Sequence, residues 1–174
     1  FKPNNTLRII LDINQNYSLS KELNIANTLS AKFGWISNSE IDDFFYFYSG
    51  GEIGVKGYTF YEESLTGPTQ IIFTNTTRFP IFIENNYKIM NISFQNLIVG
   101  IVNQLGAAPD QIDLNFIKNR EYKLSSGIEF RLNGFSFYSY PTAIEYSYHI
   151  PLESGYIAQD DYNPKQYLKI LFNF

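Results

Sequence analysis

The chain has no cysteine and only one histidine, one tryptophan and one methionine in 174 residues. Without cysteine there is no disulfide framework, no thiolate metal site and no cysteine nucleophile. With His149 the only histidine, a histidine-cluster metal centre is excluded as well. Charged residues make up 17% of the chain and the net charge is -4, which gives no broad electrostatic reason to bind nucleic acid. No run approaches the roughly 18 apolar residues of a membrane-spanning helix, and no secretory signal opens the chain. A mature chain, an internal fragment and a cytosolic protein would all lack that signal.

What is present is aromatic and alternating. Phe and Tyr number 16 and 14, yet apolar residues total only 44%. Thr6 to Tyr17 sets Leu7, Ile9, Leu11 and Ile13 against Arg8, Asp12 and Asn14, the period-two pattern of a strand with one apolar face. Glu22 to Trp35 repeats it after a polar turn at Ser18–Lys21, so the two form a hairpin. Further strands are expected over Gln70 to Phe82, Asn91 to Leu105, Glu121 to Leu132, Thr142 to Ile150 and Gln166 to Phe174. Pro80 marks a strand end, and Asn133-Gly134 signals a tight turn.

Seven strands of about nine to fifteen residues are long enough to cross a bilayer at a tilt. Short connections near 18–21, 84–88 and 133–141 alternate with long ones near 37–69, 106–120 and 151–165. An outer-membrane barrel has this asymmetry, with short periplasmic turns and long outside loops. Tyr and Phe gather in Phe44–Tyr48 and Phe135–Tyr140, as interfacial girdles or as loop packing. A soluble lipocalin-like barrel or sandwich also alternates, but needs polar outward faces. Bacterial single-chain barrels have even strand numbers, so seven implies a missed strand or the C-terminal part of a larger barrel.

Little here points to catalysis. A Ser-His-carboxylate site would have to use His149, on the polar face of its strand, and a lone histidine lining a lumen is more often structural. The pairs Asp42-Asp43, Glu62-Glu63 and Asp160-Asp161 offer oxygen ligands to a divalent cation, although solvated loop charge explains them equally. Gly54 to Gly57 lacks the Lys-Ser/Thr of a phosphate-binding loop. No enzyme activity, cofactor or metal is therefore expected.

The longest connection carries Gly54-Val55-Lys56-Gly57-Tyr58, which resembles the Val-Arg-Gly-Phe/Tyr loop motif of the bacterial surface antigen family of outer-membrane insertases and translocators. Thr76-Thr77-Arg78-Phe79-Pro80-Ile81 resembles that family's Glu-x-Arg-Phe-Pro-Leu strand. Gly100 to Gly106 is similar to its Phe-x-Asp-x-Gly strand, Ser126 to Leu132 to its Gly-x-Gly-Leu-Arg strand, and Tyr167 to Phe174 to its terminal strand. The pieces occur in family order over residues 6–174. Phe135 to Tyr148 further resembles barrels that follow Tol-like periplasmic propellers.

The resemblance implies an all-β, transmembrane antiparallel β-barrel, of which residues 1–174 supply the C-terminal seven or so of about sixteen strands. It implies that loop 37–69 folds into the lumen and latches to the wall through Gly54, Val55, Lys56, Gly57 and Tyr58, with Arg78, Gln104 and Gly106 on the facing strands. Ile170, Phe172 and Phe174 would form a C-terminal assembly signal. The implied setting is the bacterial outer membrane, with lipids, polypeptide clients or periplasmic domains of the same chain as partners. The implied role is insertion or translocation of polypeptides, with a passive anchor, a small eight-stranded barrel or a soluble ligand-binding barrel as alternatives.

This chain departs from the family where the latch is charged. Lys56 replaces the arginine, Thr76 the glutamate and Gln104 the aspartate. A lysine needs no bidentate partner, but burying it beside neutral acceptors alone is costly. A hydrated lumen or another carboxylate, such as Glu129 or Glu145, is expected to meet that cost, leaving a weaker latch.

Overall fold

Strand-forming alternation persists through most of the chain, and the computed structural model turns it into one antiparallel sheet. The structure describes residues 6–37, 42–89, 91–110, 122–136, 140–153, 156–157 and 163–172. Seven long strands dominate: β1 (Arg8–Ser20), β2 (Ile25–Ile36), β5 (Thr69–Phe82), β7 (Ile92–Ala107), β8 (Lys123–Ser136), β9 (Tyr140–Glu153) and β11 (Lys165–Phe172). Each pairs with the next in that order, so the sheet is a meander. Four short strands complete the set. β3 (Phe47–Tyr48) pairs with β4 (Thr66–Gly67) inside the β2–β5 connection, while β6 (Tyr87–Ile89) and β10 (Tyr156–Ile157) extend the main sheet beside β7 and β9. Among the described residues the sheet is open, with β1 at one edge and β11 at the other. None of their helices is long and apolar enough to cross a membrane.

Because side chains alternate, the register sorts them into two faces. Leu11, Phe33 and Ile71 lie side by side across β1, β2 and β5. Phe130, Tyr146 and Leu168 do so across β8, β9 and β11. This face is mostly apolar and open, with Leu11 52% exposed and Leu168 69%, but Ile71 is buried near one end, and Asn27, Asn75, Thr77, Asn103 and Ser126 interrupt it with side-chain hydrogen bonds across the strands. Asp12, Lys32 and Ile72 are aligned on the other face, as are Glu129 with Ser147 and Gly127 with His149. That second face is largely polar and is covered by the segment between β2 and β5. Burial is therefore inverted relative to a water-soluble core. Gln104, Glu129, Glu145, Ser147 and His149 are buried, and the outward leucines and phenylalanines are not.

Three turn expectations are corrected. Ser18 and Ser20 belong to β1, and the turn falls on Lys21–Asn24, where Asn24 takes a left-handed φ of 51°. Residues 84–88 are not one turn, because Tyr87 and Lys88 already pair with β7. Asn133-Gly134 turns nothing: both lie inside β8, opposite a register shift at Phe94–Asn96. The extra residue of that shift, Gln95, is in β7, so Asn133-Gly134 runs straight opposite it, and the glycine answers to how closely the β7 backbone approaches. Pro80 is likewise inside β5, next to the shift at Pro80–Phe82 near the strand end.

A β-carbon at Gly134 would collide with the Ser93 carbonyl oxygen, a backbone atom that cannot rotate away. Gly134→Ala should therefore lower equilibrium stability by about 1–3 kcal/mol, read from the denaturant midpoint at unchanged m-value. Asn133→Ala, which adds no atom against the backbone, should cost less.

Candidate functional site

The segment between β2 and β5 folds as a plug against the polar face. Its ends are drawn together by the β3–β4 pairing and by hydrogen bonds from Ser49 N to Leu65 O (2.8 Å) and Ile36 N to Pro68 O (3.0 Å). Inside it, Gly50 bridges to Val55, and Val55 N donates to Ser49 O at 2.7 Å. Gly57 has φ +98°, a conformation that a side chain would strain. Through this turn the segment from Gly54 to Tyr58 runs along the sheet with successive groups meeting different strands.

On β7, the Gln104 amide clasps the segment from both sides. Its Oε1 accepts from Lys56 N at 2.9 Å, and its Nε2 donates to Gly54 O at 3.1 Å and to Thr74 Oγ1 on β5 at 3.2 Å. Gly106 leaves the space that Val55 fills, since a β-carbon there would strike the valine methyl. Val55 joins Tyr58, Leu65 and Ile72 in a small apolar cluster. The Tyr58 ring is buried, and its hydroxyl lies 2.8 Å from Leu124 O and 2.9 Å from Leu152 O, seaming β8 to β9. Gly57 N donates to the Tyr167 hydroxyl on β11 at 3.0 Å.

The Lys56 ammonium reaches past Gln104 to two carboxylates. Its Nζ lies 3.7 Å from Glu145 Oε1 on β9 and 4.0 Å from Glu129 Oε2 on β8. All three side chains are about a tenth exposed or less. Arg78 on β5 meets the other Glu129 oxygen at 3.6 Å and donates to Thr28 Oγ1 on β2 at 3.1 Å. Two cations thus face two anions, which satisfies the demand that buried charge be paired. At these separations the contacts are looser than charge-assisted hydrogen bonds, so they neutralise charge more than they fix geometry.

Gly54, Val55, Lys56, Gly57, Tyr58, Gln104 and Gly106 are thus brought together. Arg78 joins them only through Glu129. The sequence expectation paired Lys56 with the Gln104 strand. That pairing is made by the Lys56 backbone, while the ammonium goes one and two strands further, where the carboxylates are. Thr76 is buried on the same face but makes no hydrogen bond to the plug among the described residues. Ile170 and Phe172 stand on the exposed apolar face, and Phe174 lies outside the described residues.

Three attachments were not foreseen. Phe47, read as part of an aromatic girdle or loop packing, is buried with its ring against Gly34, where a β-carbon would come within 2.6 Å of Phe47 Cζ. The Arg8 guanidinium of β1 sits 4.3 Å from that ring's centre. At the opposite edge, Glu52 pairs with Lys169 of β11 at 3.1 Å. The third is Tyr167, which shares an inward face with Lys169, a fact that alternation could have shown. The plug therefore spans the sheet from edge strand to edge strand. His149 is fully buried beside Tyr167, with ring centroids 6.1 Å apart, and neither imidazole nitrogen has a hydrogen-bond partner among the described residues. No serine–histidine pair is formed there.

No family model, curated protein or solved structure matches this chain.

The ion cluster yields a graded expectation. Glu145→Gln or Glu129→Gln leaves Lys56 one carboxylate, whereas the double substitution strands the ammonium and should cost about 3–5 kcal/mol. Adding Lys56→Met to the double variant should recover a substantial part of that loss. Limited proteolysis within residues 42–67 alongside denaturant unfolding would report it, and additive losses with no recovery would show that the groups do not interact.

Proposed function

We propose that this chain is part of a transmembrane β-barrel of the surface-antigen type in a bacterial outer membrane, assisting insertion or translocation of polypeptides. The observation that carries the membrane reading is the exposed apolar face. Seven strands spaced ~4.8 Å apart, with a run such as Ile9–Tyr17 rising ~3.4 Å per residue, give the whole face an area on the order of 900 Å², most of it apolar around the hydrogen-bonded Asn27, Asn75, Thr77, Asn103 and Ser126. Soluble monomers rarely expose more than a few hundred Å² of contiguous apolar surface, and hydrocarbon is the solvent such a face suits. A polar inner face with buried charges is what a barrel interior holds.

The open sheet is consistent with a barrel whose remaining strands lie elsewhere in a longer chain. Its exposed edges carry unpaired backbone groups, which hydrocarbon tolerates only when the ladder is completed. The polypeptide-handling role is supported by the ordered resemblance of the strands and by the plug, whose Gly54–Tyr58 segment is fastened to β7, β8, β9 and β11. A plug held by many individually modest contacts can be displaced piecewise, and its release would empty the inner face without nucleotide. In a passive anchor, the competing reading, the same plug would stay seated.

Two measurements test this. Phe130→Arg, on the exposed face, should lower the free energy of folding into bilayers by up to about 2–4 kcal/mol at mid-depth. Unchanged folding together with solubility free of detergent would reject the membrane reading. For the role, proteoliposomes containing the protein should speed the folding of an unfolded outer-membrane client relative to empty vesicles, and a disulfide locking the plug to β7 should abolish the gain. Equal rates with and without the protein would leave only the anchor.

A further inference from the structure

One surface of the plug faces away from the sheet and has no part in the latch. The short 3-10 turn Asp43–Phe45 packs Phe44 edge-on to Phe45 with centroids 5.5 Å apart. Beside it, Tyr48 stacks on Phe60 at 5.3 Å and 17°, and Tyr61 sets its edge geometry against both, at 5.4 and 4.9 Å. The Tyr48 hydroxyl donates to the Asp43 carbonyl oxygen at 2.9 Å, tying the two ring groups into one surface. The rings stay open: Phe44 and Tyr61 are more than three-quarters exposed.

Within this segment the charge is almost all of one sign, although Lys123 of β8 lines the cleft beside Glu63. Residues 42–65 carry Asp42, Asp43, Glu52, Glu62 and Glu63 against Lys56 alone, and Lys56 is committed beneath the plug to Glu129 and Glu145. Asp42, Asp43 and Glu63 are exposed and form no ion pair among the described residues. These carboxylates do not form a metal cluster there either.

From this juxtaposition we propose that the Phe44–Tyr48 and Phe60–Glu63 surface is a docking site for a basic segment of another polypeptide. Open ring faces attract ammonium and guanidinium groups, and the apolar stems of lysine and arginine lie along aromatic surface while their heads seek carboxylates. An anionic partner, such as a phosphate-bearing lipid or nucleic acid, meets repulsion from the exposed Asp42, Asp43 and Glu63. The proposal does not depend on the translocation reading, since it requires only the seated plug.

The test is binding of a fluorescent lysine–alanine repeat peptide to the full chain in zwitterionic detergent, followed by anisotropy. A glutamate–alanine peptide and a neutral oligosaccharide serve as competitors. The lysine peptide should bind, weaken as salt rises, and be displaced by neither competitor. Tyr61→Ala should weaken it several-fold, and Asp43→Asn with Glu63→Gln about tenfold. Phe44→Ser, at another exposed ring, should weaken it independently, which guards against misfolding of any one variant. Absence of binding, equal binding of the glutamate peptide, displacement by the oligosaccharide, or indifference to all three variants would overturn the proposal.

Discussion

A lysine ammonium removed from water has to meet negative charge, and the arrangement of this molecule follows from how Lys56 meets it. The side chain enters the polar face of the sheet where Glu129 and Glu145 stand on adjacent strands, and Arg78 neutralises the remaining oxygen of Glu129. Two carboxylates diagonal to one another on neighbouring strands repel. Lys56 between them makes their proximity tolerable, so the plug stabilises the sheet as much as the sheet holds the plug. The neutral contacts are arranged about this centre: Gln104 holds the backbone on one side, and the Tyr58 and Tyr167 hydroxyls fix it toward β8, β9 and β11.

The rest of the fold is the consequence of reserving one face for polar groups. Alternation sends most leucines, isoleucines and phenylalanines to the opposite side, where little within the described chain covers them. That inversion differs from a sandwich, in which two sheets bury their apolar faces against each other. Arg8 over Phe47 at one edge and Glu52 with Lys169 at the other tie the plug to both margins of an otherwise open sheet.

Much of this was legible from residue pattern. Period-two alternation located the seven long strands, because successive side chains of a strand point to opposite faces of the sheet. That Glu129 or Glu145 would meet the ammonium was one of two expectations, the other being a hydrated lumen, and both carboxylates lie within 4.0 Å of Lys56 Nζ. Other features were hidden for physical reasons. Asn133-Gly134 reads as a turn in sequence, and only the partner strand shows that its glycine is required by the approach of the Ser93 carbonyl. Gln104 looked like a diminished partner for the lysine charge, whereas an amide, having both donor and acceptor, is suited to grip a backbone. Phe47 could not be told from its exposed aromatic neighbours, since its burial depends on the missing side chain at Gly34 on the preceding strand, β2.

The seating of Lys56 can be examined in the unaltered protein. The folded chain would be treated with a water-soluble amine-acylating reagent, and the rate at each lysine followed by peptide mapping. Lys21 and Lys88 are exposed, whereas Lys56 is buried between its carboxylates. Acylation of Lys56 should be slower than that of Lys21 and Lys88 by at least about tenfold, because reaction requires the plug to lift and the charge to be uncovered. Comparable rates at all three lysines would contradict the latch on which the structure turns.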